Sequence, residues 1–299
     1  MNIINDLQAL VGLNMLGCLA VRKKHLLLKA FSSPKKAWEA KRKELERVEG
    51  LQRNEIDALL SAKKQIDPKK EIDKAKKEAI KIISFRDTGY PPALSLITDP
   101  PLVLYVKGEI KEVDRLAVGI VGSRMASDYG KRVTREFVSE LGKAGFTIVS
   151  GLAKGIDAEA HRTALSVSAR TLAVLGCGID VVYPTENRRL FLEIPFQGAI
   201  ISEFPFSTPP LKENFPQRNR IIAGLSLGIV VVEAAERSGA LITARLAIEE
   251  GREVFAVPGS ITSSLSCGTN KLIKDGAQMV SSPSDIVAEL GPLIEKIFG

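Results

Sequence analysis

The chain has 299 residues, 45% hydrophobic and 26% charged, which suits one large folded unit plus a small one in a soluble globular protein. Three cysteines without close spacing (Cys18, Cys177, Cys267) and only two histidines argue against a disulfide framework and a zinc site, and make a reducing cytoplasm the expected compartment. The N-terminus lacks the basic, apolar and small-residue order of a signal peptide, and no apolar run reaches about 18 residues, so no membrane association is expected.

Residues 1–80 hold 18 Lys/Arg against 11 Asp/Glu, which is the whole net charge of +7; the remaining residues hold 24 of each. This first segment reads as short helices. In "DPKKEIDKAKKEAIK", Asp67 is the expected N-cap and Pro68 the first helical residue, with the lysines on a solvated face. "LQALVGLNMLGCLAV" and "LERVEGLQRNEIDALL" share a pattern in which Gly12 and Gly50 supply a tight turn between paired helices. The pattern resembles a SAM-like or helix-hairpin-helix domain, although Asn14 and Gln52 stand where the hairpin has its second glycine. A packing or partner-docking bundle fits as well as phosphate binding does. From residue 81 to about 115 the texture is proline-rich (Pro91, Pro92, Pro100, Pro101), and a wrapping linker is expected rather than an element.

Beyond residue 115, apolar runs alternate with amphipathic stretches. "LAVGIVG", "FTIVSG", "TLAVLGCG", "GAIISEF", "LGIVVVEA" and "EVFAVPG" are each followed by a helical or loop segment, and "AQMV" adds a short last run. β-branched, near-continuous strands alternating with helices predict an α/β fold: a Rossmann-like, doubly wound, mostly parallel sheet covered on both faces.

In such sheets ligands bind beyond the carboxyl ends of the strands. The residues expected there are Gly122, Ser123 and Arg124; Ser150, Gly151 and Lys154; Gly176, Gly178, Tyr183, Asn187, Arg188 and Arg189; Glu203 and the loop to Arg218, Asn219 and Arg220; Ser238; and, in a late loop, Asn270 and Lys271. Small residues, hydroxyls, amides and cations recurring at successive strand ends make an anion-binding rim. A dinucleotide fingerprint is not completed, because "GCGIDV" has Val181 where the third glycine belongs, and without a Walker A motif an ATP-hydrolysing reading lacks its central part. No nucleophile and base can be paired by spacing. His161 reads as a packing residue and Cys177 as a small residue at a tight turn, while Glu203 and Glu233 sit near strand ends and could face a ribose or act as acids. Cationic donors without catalytic machinery suit a polyanion, such as a nucleic-acid strand held by its phosphates. Phe204, Phe206 and Phe215 could stack on bases or simply anchor their loop.

"ENFPQRNRIIAGLS" poses a specific question. If Pro216 opens a helix, Arg218 and Arg220 fall in its first turn, where the dipole disfavours cations by about 0.3–1 kcal/mol each. The two diverge by about 200° in an ideal helix. One arginine is therefore expected to meet an external anion, while the other anchors the loop or pairs with an acid such as Glu203.

Seven ordered stretches, "AVGIVGSRMASDYG", "SGLAKGIDAEAHRTAL", "LGCGIDVVYPTENRRLF", "ISEFP", "FPQRNRIIAGLS", "VVEAAERSGALITARLAIEEGREVFAVPGSI" and "GTNKLIKDGA", resemble the DNA-processing protein A (DprA/Smf) family over residues 81–282. The resemblance implies a helical domain over 1–80, a connecting segment over 81–115 and a Rossmann-like DNA-binding domain over 116–290. It also implies a non-enzymatic, homodimeric, single-stranded DNA-binding protein that protects incoming DNA in natural transformation and loads the RecA recombinase, without metal or cofactor. Arg124, Lys154 (where arginine is commoner), Arg188, Arg189 and the Arg218-Asn219-Arg220 triplet are the implied DNA contacts. A winged-helix domain that many members carry at the C-terminus is not expected here. The alternative is a nucleotide-processing enzyme akin to phosphoribohydrolases, whose P-G-G-x-G-T-x-x-E hallmark this sequence does not match.

Overall fold

The computed structural model describes residues 4–298, the side chain of residue 298 excepted. The chain opens with six short helices: α1 (Asp6–Met15), α2 (Val21–Ala30), α3 (Pro34–Glu39), α4 (Arg42–Leu45), α5 (Arg53–Ala62) and α6 (Pro68–Lys77). Their starts follow from the sequence. Asn5 and Gln8 form a capping box, Ser33 caps α3 ahead of Pro34, and the Asp67 carboxylate accepts from the backbone N–H of Lys69 and Lys70. Gly50 adopts φ +87° between α4 and α5 and is the turn glycine expected there. Gly12 is not a turn residue: it lies inside α1, where an added Cβ would meet the Trp38 ring at 2.7 Å. A glycine that lets an indole approach a helix leaves the same trace in sequence as one that turns the chain.

The segment 81–115, expected as a linker, contributes two strands, β1 (Lys81–Ser84) and β2 (Val103–Gly108), with α7 (Pro92–Ser95) between them and a 3₁₀ turn at Glu112–Arg115. The prolines bracket these strands instead of interrupting them, so no ladder N–H is lost. There follow β3 (Ala117–Val121), α8 (Asp128–Lys143), β4 (Thr147–Ser150), α9 (Ile156–Ser166), β5 (Thr171–Val174), α10 (Arg188–Gln197), β6 (Gly198–Ser202) and α11 (Asn214–Leu225). The chain continues with β7 (Gly228–Val231), α12 (Gly239–Glu249), β8 (Glu253–Ala256), α13 (Cys267–Lys274), β9 (Gln278–Met279) and α14 (Pro283–Phe298). The nine strands form one sheet in the order β1-β2-β6-β5-β4-β3-β7-β8-β9. β2 is antiparallel to both of its neighbours and the other pairings are parallel, so the fold is α/β with a mostly parallel sheet.

Alternate strand residues enter different cores. Val118 and Ile120 pack with α8, α9 and α14 on one face, whereas Ala117 and Val121 pack with α7, α11 and α12 on the other. The N-terminal helices are not a separate core. Ala9, Leu13, Trp38 and Ile72 share one apolar cluster with Tyr105, Ala173 and Ile200 of the sheet.

This junction also holds polar groups. Asn14 Nδ2 donates to the carbonyl of Glu203 at 2.8 Å, and the buried Lys24 ammonium donates to the carbonyl of Asn14 at 2.9 Å. Burial, partly opposed by the Glu203 carboxylate, pushes the Lys24 pKa down from 10.5 to about 8. The folded-state value lies below the unfolded one, so folding favours neutral Lys24. The associated stability is absent below about pH 8 and returns as pH rises toward 10.5. Between pH 8 and 10, wild type should gain about 2 kcal/mol relative to a Lys24→Met variant in urea denaturation; a pH-independent difference would refute the assignment.

Candidate nucleic-acid interface

The chain visits β3, β4, β5 and β6 in one direction across the sheet, then returns to place β7 on the other side of β3. This reversal leaves a crevice beyond the carboxyl ends of β3 and β7, where doubly wound folds bind ligands. A groove of about 700 Å³ occupies it, lined by Gly122, Ser123 and Arg124 after β3, by Arg218 and Asn219 of α11, and by Ser238 and Gly239 at the start of α12. A small side pocket of about 60 Å³ adds Gly151, Lys154, Gly176 and Tyr183.

The floor is built around Phe215. Its ring lies against Gly176, where a Cβ would come within 2.9 Å, and its centroid is 5.8 Å from that of Tyr183. The guanidinium carbons of Arg124 and Arg218 stand 5.4 Å and 5.8 Å from the ring centroid, which gives the aromatic two cation partners. Arg124 is exposed and its neighbour Ser123 is spent on the local turn, accepting from the Met125 N–H at 3.1 Å. Gly155 permits this approach: it adopts φ +76°, and a side chain there would collide with the backbone of Ser123 and Arg124.

Arg218 and Arg220 do not lie in the first turn of their helix. α11 begins at Asn214, so Pro216 is its third residue, where the missing N–H costs nothing, and the arginines fall in the second turn. Both are buried, and their directions diverge as the helical spacing requires. Arg218 reaches across the strand ends, donating from Nη1 to the carbonyl of Gly151 at 2.6 Å and to that of Val174, and from Nε to the Asn219 side chain at 3.0 Å. Gly151 has no side chain because a Cβ there would sit 2.5 Å from the guanidinium. Burial lowers the Arg218 pKa to about 10, and the nearby Asp157 carboxylate partly offsets this. Burial likewise raises Asp157, opposed by Arg218 and by hydrogen bonds from the N–H of Gly151 and Ala153. Arg220 pairs with Glu203 at 2.5 Å, the acid suggested for one of the two arginines without deciding which.

The other expected site residues are dispersed. Ser150 is buried and donates to the carbonyl of Ile120. Lys154 is ion-paired with Glu186 at the rim of the side pocket. Arg188 and Arg189 begin α10, and Arg189 faces a separate cleft. Asn270 bridges both backbone groups of Gly259, and Lys271 lines a cleft between α12 and α13. Asp157, Met125 and Lys212 line the groove and were not expected there; nothing local in the sequence marks them, since their positions depend on strand order.

The groups weighed as catalytic are spent structurally. Glu233 is buried against Ser127 at the start of α8, and Glu203 is held by Arg220. His161 is fully buried beside the Thr171 hydroxyl, and burial together with Arg218 drives its pKa to about 3. Burial pushes the Cys177 thiol up to about 11, so it is protonated at neutral pH. A thiol reagent at pH 7.5 should therefore titrate the exposed Cys18 and Cys267 rapidly and Cys177 only on unfolding; fast reaction of all three would contradict the site. Phe204 and Phe206 are buried anchors, the latter edge-on to Tyr105 at 5.6 Å. Among the described residues there is no cluster of three or more potential metal ligands and no helix long and apolar enough to cross a membrane.

The model of the DNA recombination-mediator protein A family matches residues 81–291, which contain the sheet and the whole groove. The chain belongs to this family. Protein Smf of Synechocystis is 41% identical over 276 residues, covering 90% of this chain and 69% of that relative. The DNA processing protein A of Streptococcus pneumoniae superimposes with a TM-score of 0.79 at 38% identity, covering 93% of this chain and 95% of that structure. The Helicobacter pylori DNA processing protein A, solved for its single-stranded DNA binding mode, matches with a TM-score of 0.63 at 33% identity, over 70% of this chain and 95% of that one. Family membership gives the groove its context: it is a cationic crevice at the switch point of a recombination mediator's sheet.

Proposed function

We propose that this protein binds single-stranded DNA along the groove, without catalysing a reaction, and acts in recombination and natural transformation. The observation that carries the reading is the triplet at the switch point: an exposed Arg124 and a buried Arg218 flanking the half-buried Phe215 ring. Exposed guanidinium supplies a forked donor for phosphate, and the aromatic surface beside Tyr183 suits an unstacked base. The single-stranded DNA binding of the H. pylori relative supports the same reading. Within it, Arg124, Lys154 and Lys212 meet phosphates while Arg218, Asn219, Ser123 and Ser238 shape the wall; as a cytoplasmic homodimer the protein would pass the strand to a RecA-type recombinase. Fluorescence anisotropy with oligothymidylate and with duplex of equal length, repeated across salt, tests this. Preference for the single strand with affinity falling steeply in salt is expected. Equal affinity for duplex, or release of free base from nucleoside monophosphates, would replace the reading.

A further inference from the structure

A second cleft, of about 640 Å³, lies between α9 and α10 outside the groove, bordered by Arg162, Leu165, Glu186, Arg189 and Phe196. Phe196 is 88% exposed, at the foot of α10, with no function in the core. Two arginines flank the same cleft. Arg162 is tied to Glu159 through Nη1 at 2.6 Å and Arg189 to Glu193 through Nε at 2.7 Å, and both side chains are more than half exposed. Each ion pair uses part of the guanidinium fork and leaves further donors on it for an incoming oxygen.

An ion pair joins the cleft to the side pocket of the groove. Lys154, on the rim of the groove's side pocket, is ion-paired with Glu186 on the wall of the second cleft. Beneath them, Asn187 Nδ2 donates to the carbonyls of Leu152 and Ala153 at 2.8 and 3.1 Å, which fixes the cleft wall to the loop that carries Lys154. Arg188, exposed at the start of α10, follows Asn187 directly in the chain. An exposed aromatic with adjacent cations is the surface on which unstacked bases settle regardless of sequence.

We propose that this cleft is a second single-strand site: a strand leaving the groove passes Lys154 and Arg188 and stacks a base on Phe196, with Arg162 and Arg189 meeting its phosphates. The proposal rests on the groove binding single-stranded DNA, and the test separates the two. The chain has one tryptophan, Trp38, which is buried, so a Phe196→Trp variant places a single new indole at the cleft. Oligothymidylates of increasing length would be titrated into the full-length variant, with anisotropy reporting binding and indole emission reporting the cleft. Short oligonucleotides should saturate the groove without quenching, and quenching should begin above a threshold length. Phe196→Ala should weaken long oligonucleotides at least about 5-fold and short ones less than about 2-fold. Binding of every length without quenching overturns the second site alone, and marks the cleft as a surface for something other than DNA. Equal weakening of short and long strands by Phe196→Ala overturns it too, and failure of the unmodified chain to bind any strand overturns the groove with it.

Discussion

Replacing Arg218 with alanine should destabilise the fold by about 3–5 kcal/mol, because it leaves buried Asp157 without its cation and two strand-end carbonyls without a donor. The fall in Tm should be on the order of 10 °C. Asp157→Asn in the Arg218→Ala background should restore part of the loss, since it removes the stranded charge. A double-mutant cycle in urea reads the coupling between the two side chains. Arg218→Ala within about 1 kcal/mol of wild type would mean that the arginine is not the clamp across β4, β5 and α11. The arginine that in sequence resembled a DNA contact thus has first a structural duty. It sits 4% exposed, with its guanidinium 5.8 Å from the Phe215 ring centroid.

Arg124→Ala should have the opposite profile. The side chain is exposed and its contact is with the half-buried Phe215 ring, so stability should change by no more than about 1 kcal/mol. Removing a charge-assisted hydrogen bond to phosphate, worth about 1.5–3 kcal/mol, should weaken single-strand binding by about 10- to 150-fold. The plot of log affinity against log salt should become shallower by about 0.7 for each phosphate that the variant no longer neutralises. Arg124→Lys should recover charge and slope but not full affinity, because an ammonium lacks the guanidinium fork. An unchanged slope in Arg124→Ala would show that this arginine meets no phosphate.

The contrast between these two arginines measures what the sequence could express. The strands from Ala117 to Ala256 were legible because a sheet buried on both faces writes itself as unbroken apolar runs. β1 and β2 were masked by Pro91, Pro92, Pro100 and Pro101, which lie between the strands and mark the boundaries of β2 and α7. The rim residues at strand ends were readable one by one, but their gathering was not. It depends on β7 lying beside β3, so that Gly122–Arg124 face Ser238 while Asn270 and Lys271 fall elsewhere. Arginine burial is equally silent in sequence. Arg218 is inside because Gly151 and Val174 offer it carbonyls from 67 and 44 residues away, and Arg220 is inside because Glu203 is within reach.

Photocrosslinking tests the central claim most directly. Oligothymidylate carrying 5-bromodeoxyuridine would be irradiated with the full chain at low salt, and the adducts located by peptide mass spectrometry. The groove predicts adducts on the peptides that carry Tyr183 and Phe215, which disappear when salt releases the strand. Adducts confined to the basic helices of residues 4–80, with none on those two peptides, would contradict it.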